Sequence, residues 1–269
     1  TTEIYTLSLH DVLPISARMT DLFVPLDFVR GEHDSEETEP LSALTQKMVS
    51  SQAEPAARVV VLGDPGSGKS TLCRHIAVLA ASAESPRVPL LIALRDMVRQ
   101  GLWEGLLPFA ANDLSARLSM RVDAAALEAL CNEGQCLLLV DGLDEVVEPT
   151  QLERVREMLL GFAQRWPKVP MLATSRVVGY DRAALPPGLF EHLRLAPFTD
   201  AQLETFVDRW MAAMEPHDPV ARAEGRGSLL SALEAEPRAK ALARTPLFAT
   251  LIALVHRAEA RLPGDRARL

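Results

Sequence analysis

Residues 58–71 constrain what this chain can fold into more than any other stretch. Val59-Val60-Val61-Leu62 is a continuous apolar, mostly β-branched run of the kind found in parallel strands buried on both faces. It leads straight into Gly63-Asp64-Pro65-Gly66-Ser67-Gly68-Lys69-Ser70, a full match to G-x-x-x-x-G-K-[ST]. After Thr71, the residues Leu72, Ile76 and Leu79 recur at helical spacing. Strand, glycine loop and helix in that order form a phosphate-binding loop. The glycines let successive backbone N–H groups turn inward toward phosphate oxygens, beside the positive end of the next helix. Lys69 is placed to reach the β- and γ-phosphates and the Ser70 hydroxyl to ligate Mg²⁺. The bland alternative is a plain Gly-rich turn, and the flanking strand and helix argue against it.

A second constellation lies downstream. Cys136-Leu137-Leu138-Leu139-Val140 is an apolar strand that ends in Asp141-Gly142-Leu143-Asp144-Glu145. A carboxylate at the end of such a strand, following a phosphate loop, is the arrangement that holds Mg²⁺, so Asp141 is the expected metal-site residue. Asp144 and Glu145 fall one short turn later, where an attacking water sits opposite a γ-phosphate, and one of them is the expected general base. The sequence does not separate the two, and the residue that is not the base could serve as a helix cap.

Further apolar runs read as strands: Val88 to Leu94, Val169 to Thr174 and His192 to Leu195. Between them Leu152, Val155, Leu159 and Phe162 share one helical face, and Thr150 with Glu153 has capping-box spacing, as does Thr199 with Gln202. Alternating strands and helices predict an α/β fold, a three-layer parallel sheet. Ser175 and Arg176 emerge at its carboxyl edge, where ligands bind in such sheets. Arg176 is therefore a candidate sensor of the γ-phosphate, against the simpler reading of a solvated surface arginine. Beyond Pro197 no strand is expected. Residues 199–260 read as helices broken at Pro216, Pro219, Gly225, Pro237 and Pro246, whose apolar residues form the module's own core. Thr245-Pro246 opens the last helix with proline at its first position.

The 269-residue chain has a net charge of −8, which argues against a general nucleic-acid binder until its distribution is considered. Residues 1–57 carry ten acidic and three basic side chains, so −7 of the charge precedes Arg58 and the body beyond is near neutral. Nucleic acid is disfavoured as a partner on the total, yet the near-neutral body leaves an anionic partner open. No apolar run is long enough for a membrane-spanning helix. Three irregularly spaced cysteines, Cys73, Cys131 and Cys136, are expected in the core of a protein kept in a reducing cytosol. Trp103, Trp166 and Trp210 read as packing residues, and His75 as a surface helix position near the loop.

Four segments follow. Residues 1–16 resemble the translation of a common sequencing-adapter oligonucleotide and are read as a non-native leader. Residues 17–57 hold a short β-type run, Leu22 to Val29, whose Pro25 should keep it at a sheet edge or outside the sheet, and an acidic linker from Gly31 to Pro40. Residues 58–197 form the phosphate-loop core and 198–269 the helical domain.

Together GDPGSGKST at Gly63 to Thr71, LLLVDGLDE at Leu137 to Glu145, TSR at Thr174 to Arg176 and TPLFATLIALV at Thr245 to Val255 resemble the bacterial NACHT-type signalling NTPases of the STAND class. The resemblance implies an ASCE/STAND-type P-loop NTPase sheet followed by a small α-helical domain. It implies a slow ATPase that exchanges ADP for ATP, self-associates through its core and serves bacterial defence or signalling, with Pro246 against the adenine. Cofactors would be ATP or ADP with Mg²⁺. A winged-helix segment, an effector and repeats belong to the full family plan, so the chain is expected to be a fragment. A non-hydrolysing nucleotide-bound scaffold and an AAA+-type remodelling ATPase are the alternative readings. A small-molecule kinase fits less well, because such kinases generally lack the Asp144-Glu145 doublet.

Overall fold

A computed structural model of the chain describes residues 22–30, 38–50, 54–83, 87–101, 104–182 and 184–260. The leader 1–16, most of the acidic linker and Trp103 lie outside the described residues.

The apolar run that opens the phosphate loop becomes strand β3 (Arg58–Leu62), buried along its length up to Leu62. It is hydrogen-bonded in parallel to β6 (Met171–Ser175) on one side and to β7 (Glu191–Leu195) on the other. β5 (Cys136–Asp141) pairs with β6, and β4 (Val88–Ala93) pairs with β5, again in parallel. All five come from the predicted apolar runs, with ends displaced by one or two residues.

The sheet is larger than the expected parallel one. Its seven strands run in the order β2-β1-β7-β3-β6-β5-β4, and β1 (Asp27–Arg30) pairs antiparallel with both β7 and β2 (Thr38–Pro40). The run from Leu22 to Val29 was expected at an edge or outside. Pro25 instead precedes the strand, so the ladder of β1 loses no donor and Phe28 is buried. The edge falls to β2, built from the end of the acidic stretch. Four charged side chains tie this end together, Arg30 and Lys47 meeting Glu39 and Glu191 at 2.7–3.0 Å.

Side-chain alternation sorts the strand residues onto two faces. Val60, Leu138, Val140, Met171 and Ala173 join one core with helices α3 (Leu94–Gln100), α4 (Leu106–Leu118), α5 (Ala124–Asn132) and α6 (Pro149–Arg165). Val59, Val61, Leu137, Leu139 and Leu172 are equally buried and face the other way, the side packed by α2 (Lys69–Ser82). The short α1 (Leu41–Thr45) continues into a π-helical turn, Gln46–Ser50. Helix α6 starts earlier than the Thr150 and Glu153 spacing indicated. Glu148 is its N-cap, accepting from the N–H groups of Thr150 and Gln151, because Pro149 supplies the first helical residue. Where the alternation rule called for a helix between β6 and β7, residues 177–190 carry only a 3₁₀ turn at Tyr180–Arg182 among the described residues. Tyr180, Leu185 and Phe190 cover the sheet there in place of a helix.

Residues Asp27–Ala196 group as one compact unit, and the described parts of 22–26 and 197–260 as another. The second is all helical: α7 (Asp200–Met214), α8 (Pro219–Ala235), α9 (Pro237–Ala243) and α10 (Pro246–Ala260). Thr199 and Gln202 form the full capping box expected of them. Gly225 does not break α8; a Cβ there would stand 2.9 Å from Met211 Sδ, so the glycine is explained by the close approach of α7. Phe206 and Trp210 stack within this unit and Trp210 is fully buried. Helix α10 departs from the expectation of self-contained packing. It buries the small Ala249 and Ala253 while Leu247, Phe248, Leu251 and Val255 stay exposed.

The place of β1 inside the sheet has an energetic consequence. Phe28→Ala is expected to cost about 3–5 kcal/mol, read as a fall in the urea midpoint; an unchanged midpoint would put β1 outside the cooperative core.

Candidate functional site

The site forms where β3, β5 and β6 end at one edge of the sheet. After Leu62 the chain turns at Gly63, whose N–H donates to the Ser175 carbonyl at 3.1 Å. A Cβ on Gly63 would lie 2.5 Å from Ser67 Oγ and 3.2 Å from Leu195, so the loop closes over this position only with glycine. The curl is completed by Gly68, at φ +97°, as the residue before α2. No side chain caps α2, so its first N–H groups point into the loop with no acceptor on a side chain. Ser70 and Thr71 lie in this first turn, with Asp64, Pro65 and Gly66 in the loop before it.

Lys69 folds its side chain back over this loop. Its ammonium donates to the carbonyls of Gly63 at 2.7 Å and Asp64 at 3.0 Å. Burial holds its pKa below the ordinary lysine value, with Asp144, Asp141 and Asp64 pulling the other way and Arg176 adding to the depression. Ser67 Oγ is buried and has no hydrogen-bond partner among the described residues. An uncapped helix start, a partly desolvated ammonium and an orphaned hydroxyl within one loop fit an anionic ligand with several oxygens.

Across the sheet edge, Asp141 ends β5. Thr174, on the neighbouring strand, donates its hydroxyl to Asp141 Oδ1 at 2.7 Å and accepts from the Gly142 N–H at 3.0 Å. The carboxylate is thus held in one orientation by a fully buried side chain. One hydroxyl, Ser70, and one carboxylate, Asp141, suit an ion held mainly by water and phosphate oxygens, as Mg²⁺ is. Among the described residues no group of three or more His, Cys, Asp or Glu gathers as a protein-only metal cage.

The two acidic residues that sequence left equivalent stand in different surroundings. Gly142, at φ +86°, starts a tight 3₁₀ turn, Leu143–Glu145, pinned by the buried Leu143. Asp144 turns toward β6: its Oδ1 accepts from the Arg176 N–H at 2.9 Å and its Oδ2 meets Arg176 Nε at 2.8 Å. The Asp144 side chain is 10% exposed and that of Arg176 53%. The Glu145 carboxyl folds back over Gly142, where an added Cβ would lie 2.8 Å away. Glu145 is exposed as a residue, and partial burial of its carboxyl holds its pKa above the usual glutamate value; Arg95 and Arg176 oppose that rise, and Asp141 and Asp144 reinforce it.

The structure therefore brings Lys69, Asp141, Asp144, Glu145 and Arg176 to one edge. Pro246 opens α10 in the other unit. Cys73, Cys131 and Cys136 are buried and unpaired, and Trp166 and Trp210 are packing residues. His75 is half-buried in α2. Sequence reasoning did not single out Thr174 or Arg95. Both had a signal, being polar residues at the carboxyl ends of apolar strands, the position that already drew attention to Arg176.

A NACHT-domain family model matches residues 57–214. The chain belongs to the NACHT family. No curated protein matches it. Among solved structures, the NACHT chain is similar to the Aeropyrum pernix ORC1 protein in complex with DNA, at 18% identity and a TM-score of 0.42, covering 82% of this chain and 64% of that one. It is likewise similar to Drosophila ORC bound to DNA, at 14% identity and a TM-score of 0.45, with 81% and 65% covered. Domain III of the Thermotoga maritima replication initiation protein DnaA overlaps at 13% identity and a TM-score of 0.38, with 66% and 77% covered. These are partial overlaps at low identity, and the chain spans under two thirds of either ORC structure. Membership in the NACHT family makes this a nucleotide-binding P-loop NTPase fold. No described helix is long and apolar enough to cross a membrane.

Two outcomes follow from the geometry. Thr174→Val keeps the shape but strands the buried Gly142 N–H, and is expected to cost about 1–3 kcal/mol in chemical denaturation. Because the folded-state pKa of Glu145 is raised, its contribution to stability is greatest below the unfolded carboxyl value and is lost as pH rises through the folded one. Glu145→Gln should therefore raise the thermal midpoint slightly at neutral pH, the residue being exposed, and that advantage should vanish in acid; a difference from the wild type that is the same at both pH values would contradict the raised pKa.

Proposed function

We propose that the chain is an ATP-binding NACHT switch that hydrolyses ATP slowly, with Glu145 as its general base. The observation that carries this reading is the contrast between the two carboxylates. Asp144 is engaged twice by Arg176, whereas Glu145 is held near Asp141 with a raised pKa and no hydrogen bond among the described residues. A carboxylate with a raised pKa is the stronger base toward an attacking water. Lys69, the N–H groups of the loop from Gly63 to Gly68 and the start of α2 would bind the phosphates, with Ser67, Ser70 and Thr71 lining them. Ser70 and Asp141 would hold Mg²⁺, which when bound neutralises phosphate charge. Arg176 would leave Asp144 for the γ-phosphate, and Pro246 would lie against the adenine.

Nucleotide exchange, self-association through the NTPase core, a cytoplasmic site of action and a role in bacterial defence or signalling complete the proposal. Its support is membership in the NACHT family together with the motifs TSR and TPLFATLIALV.

With purified protein and Mg²⁺, Lys69→Ala is expected to weaken ATP binding roughly 10- to 100-fold, the worth of one or two charge-assisted hydrogen bonds. Glu145→Gln should keep the affinity while phosphate release falls about 10²- to 10⁴-fold. Unchanged affinity in the lysine variant would refute the phosphate-loop assignment. A wild-type chain that binds ATP without releasing phosphate would instead point to the non-hydrolysing scaffold.

A further inference from the structure

Arg176 leaves β6 at the head of a connection that has no helix to stiffen it. Immediately after it the backbone turns through Val177, Val178 and Gly179: Val178 is 85% exposed, Gly179 has φ +90°, and the Val177 carbonyl accepts the Tyr180 N–H at 3.4 Å. Tyr180 is the first side chain after Ser175 to be buried. Its ring lies in the core with Leu185 and Phe190, and its hydroxyl is used twice, accepting the Leu185 N–H at 3.0 Å and pairing with His192 Nε2 at 2.8 Å. The two rings are also in contact, 5.5 Å between centroids.

His192 belongs to β7 and stands in register with Val60 of β3, three residues before the phosphate loop starts at Gly63. The sensor segment is thus referenced, through one phenol and one imidazole, to the strand that also sets the position of the loop. On its other side Arg176 is restrained by Asp144, which follows β5. The guanidinium is suspended between these two attachments.

We propose that Tyr180 and His192 form a positioning clamp, which fixes the direction in which Arg176 leaves β6 and thereby sets how well the site tells a nucleoside triphosphate from a diphosphate. The inference rests on the reading of Arg176 as the group that meets the γ-phosphate. The ring of Tyr180 supplies packing, and the hydroxyl supplies the aim. Removing the hydroxyl alone leaves the aromatic core filled and frees residues 177–180 to shift relative to β7. Displacements of about 1 Å in a positioning element are enough to cost up to about 100-fold in a site of this kind.

The test is a double-mutant cycle on the full chain, reading the ratio of ATP to ADP affinity together with phosphate release and the thermal midpoint. Arg176→Ala is expected to lower the affinity ratio. Tyr180→Phe should lower it roughly 3- to 10-fold with little change in ADP affinity, and the double variant should be no worse than Arg176→Ala. His192→Gln, which keeps an acceptor near the position of Nε2, should stay within about twofold of the wild type, while His192→Leu should match Tyr180→Phe. A Tyr180→Phe variant that lowers only the thermal midpoint, or whose effect adds fully to that of Arg176→Ala, overturns the clamp and leaves the sensor reading standing. An unchanged ratio in Arg176→Ala overturns the sensor reading, and the clamp falls with it.

Discussion

Strand β3 lies between β6 and β7 with both faces shut off from water, and the geometry of the site is measured from where it ends. From Val59 to Leu62 the strand is apolar on both sides, and the one charged residue at its start, Arg58, is buried with its guanidinium donating to the Ala163 carbonyl at 2.6 Å. The chain leaves the sheet at Gly63, level with the ends of β5 and β6, because the parallel register aligns Leu62 with Ser175 and Val140 with Ala173. Asp141, Thr174 and the phosphate loop are neighbours for that reason. Their proximity follows from register and requires no attraction between them.

Such an edge concentrates charge that the apolar sheet cannot solvate from below. Lys69 is pulled down from its usual pKa by burial and Glu145 is pushed up by partial burial of its carboxyl, so the surroundings disfavour the charged form of each relative to water. Folding is paid for elsewhere, in the two apolar layers, and among the described residues the edge is left with unmet demands: an uncapped helix start, a Ser67 hydroxyl without a partner and an ammonium that donates to the carbonyls of Gly63 and Asp64. Those demands share one chemistry, that of an anion with several oxygens. The buried hydroxyls of Ser67 and Ser175 both lack a partner at this edge among the described residues, and unsatisfied groups gathered in one place are a mark of functional sites.

Much of this was legible in the residues. The five parallel strands announced themselves as apolar runs, and the loop and the acidic doublet by their spacing, because burial on two faces and the approach of backbone to phosphate leave few residue types to choose from. What was not legible depended on partners distant in the chain. Phe28 belongs in the core only because β7 offers it an antiparallel neighbour, and Gly225 sits inside a helix only because Met211 presses against it. Asp144 and Glu145 are adjacent and chemically alike, and what distinguishes them is Arg176, which arrives from another strand. The lack of an α-helix between β6 and β7 among the described residues was not legible because Tyr180, Leu185 and Phe190 recur every five residues, which matches neither the helical nor the strand period, yet they bury as a group.

Magnitudes decide what the Asp144–Arg176 pair can do. With the guanidinium half in water, an ion pair of this kind contributes roughly 0–1 kcal/mol, whereas a hydrogen bond to a charged group withdrawn from water contributes about 1.5–3 kcal/mol. On the proposed reading, a γ-phosphate outbids the carboxylate without any large rearrangement of the sheet. Asp144 would not be stranded by the exchange, because it keeps the backbone N–H of Arg176. On that reading the side chain would move while its own backbone stays tethered at Asp144, and a short swing of one arginine would distinguish the two nucleotide states. On the same reading, a stronger, fully buried pair at this position would hold the arginine in place and lose the proposed discrimination, so the partial exposure of Arg176 suits the proposed switch.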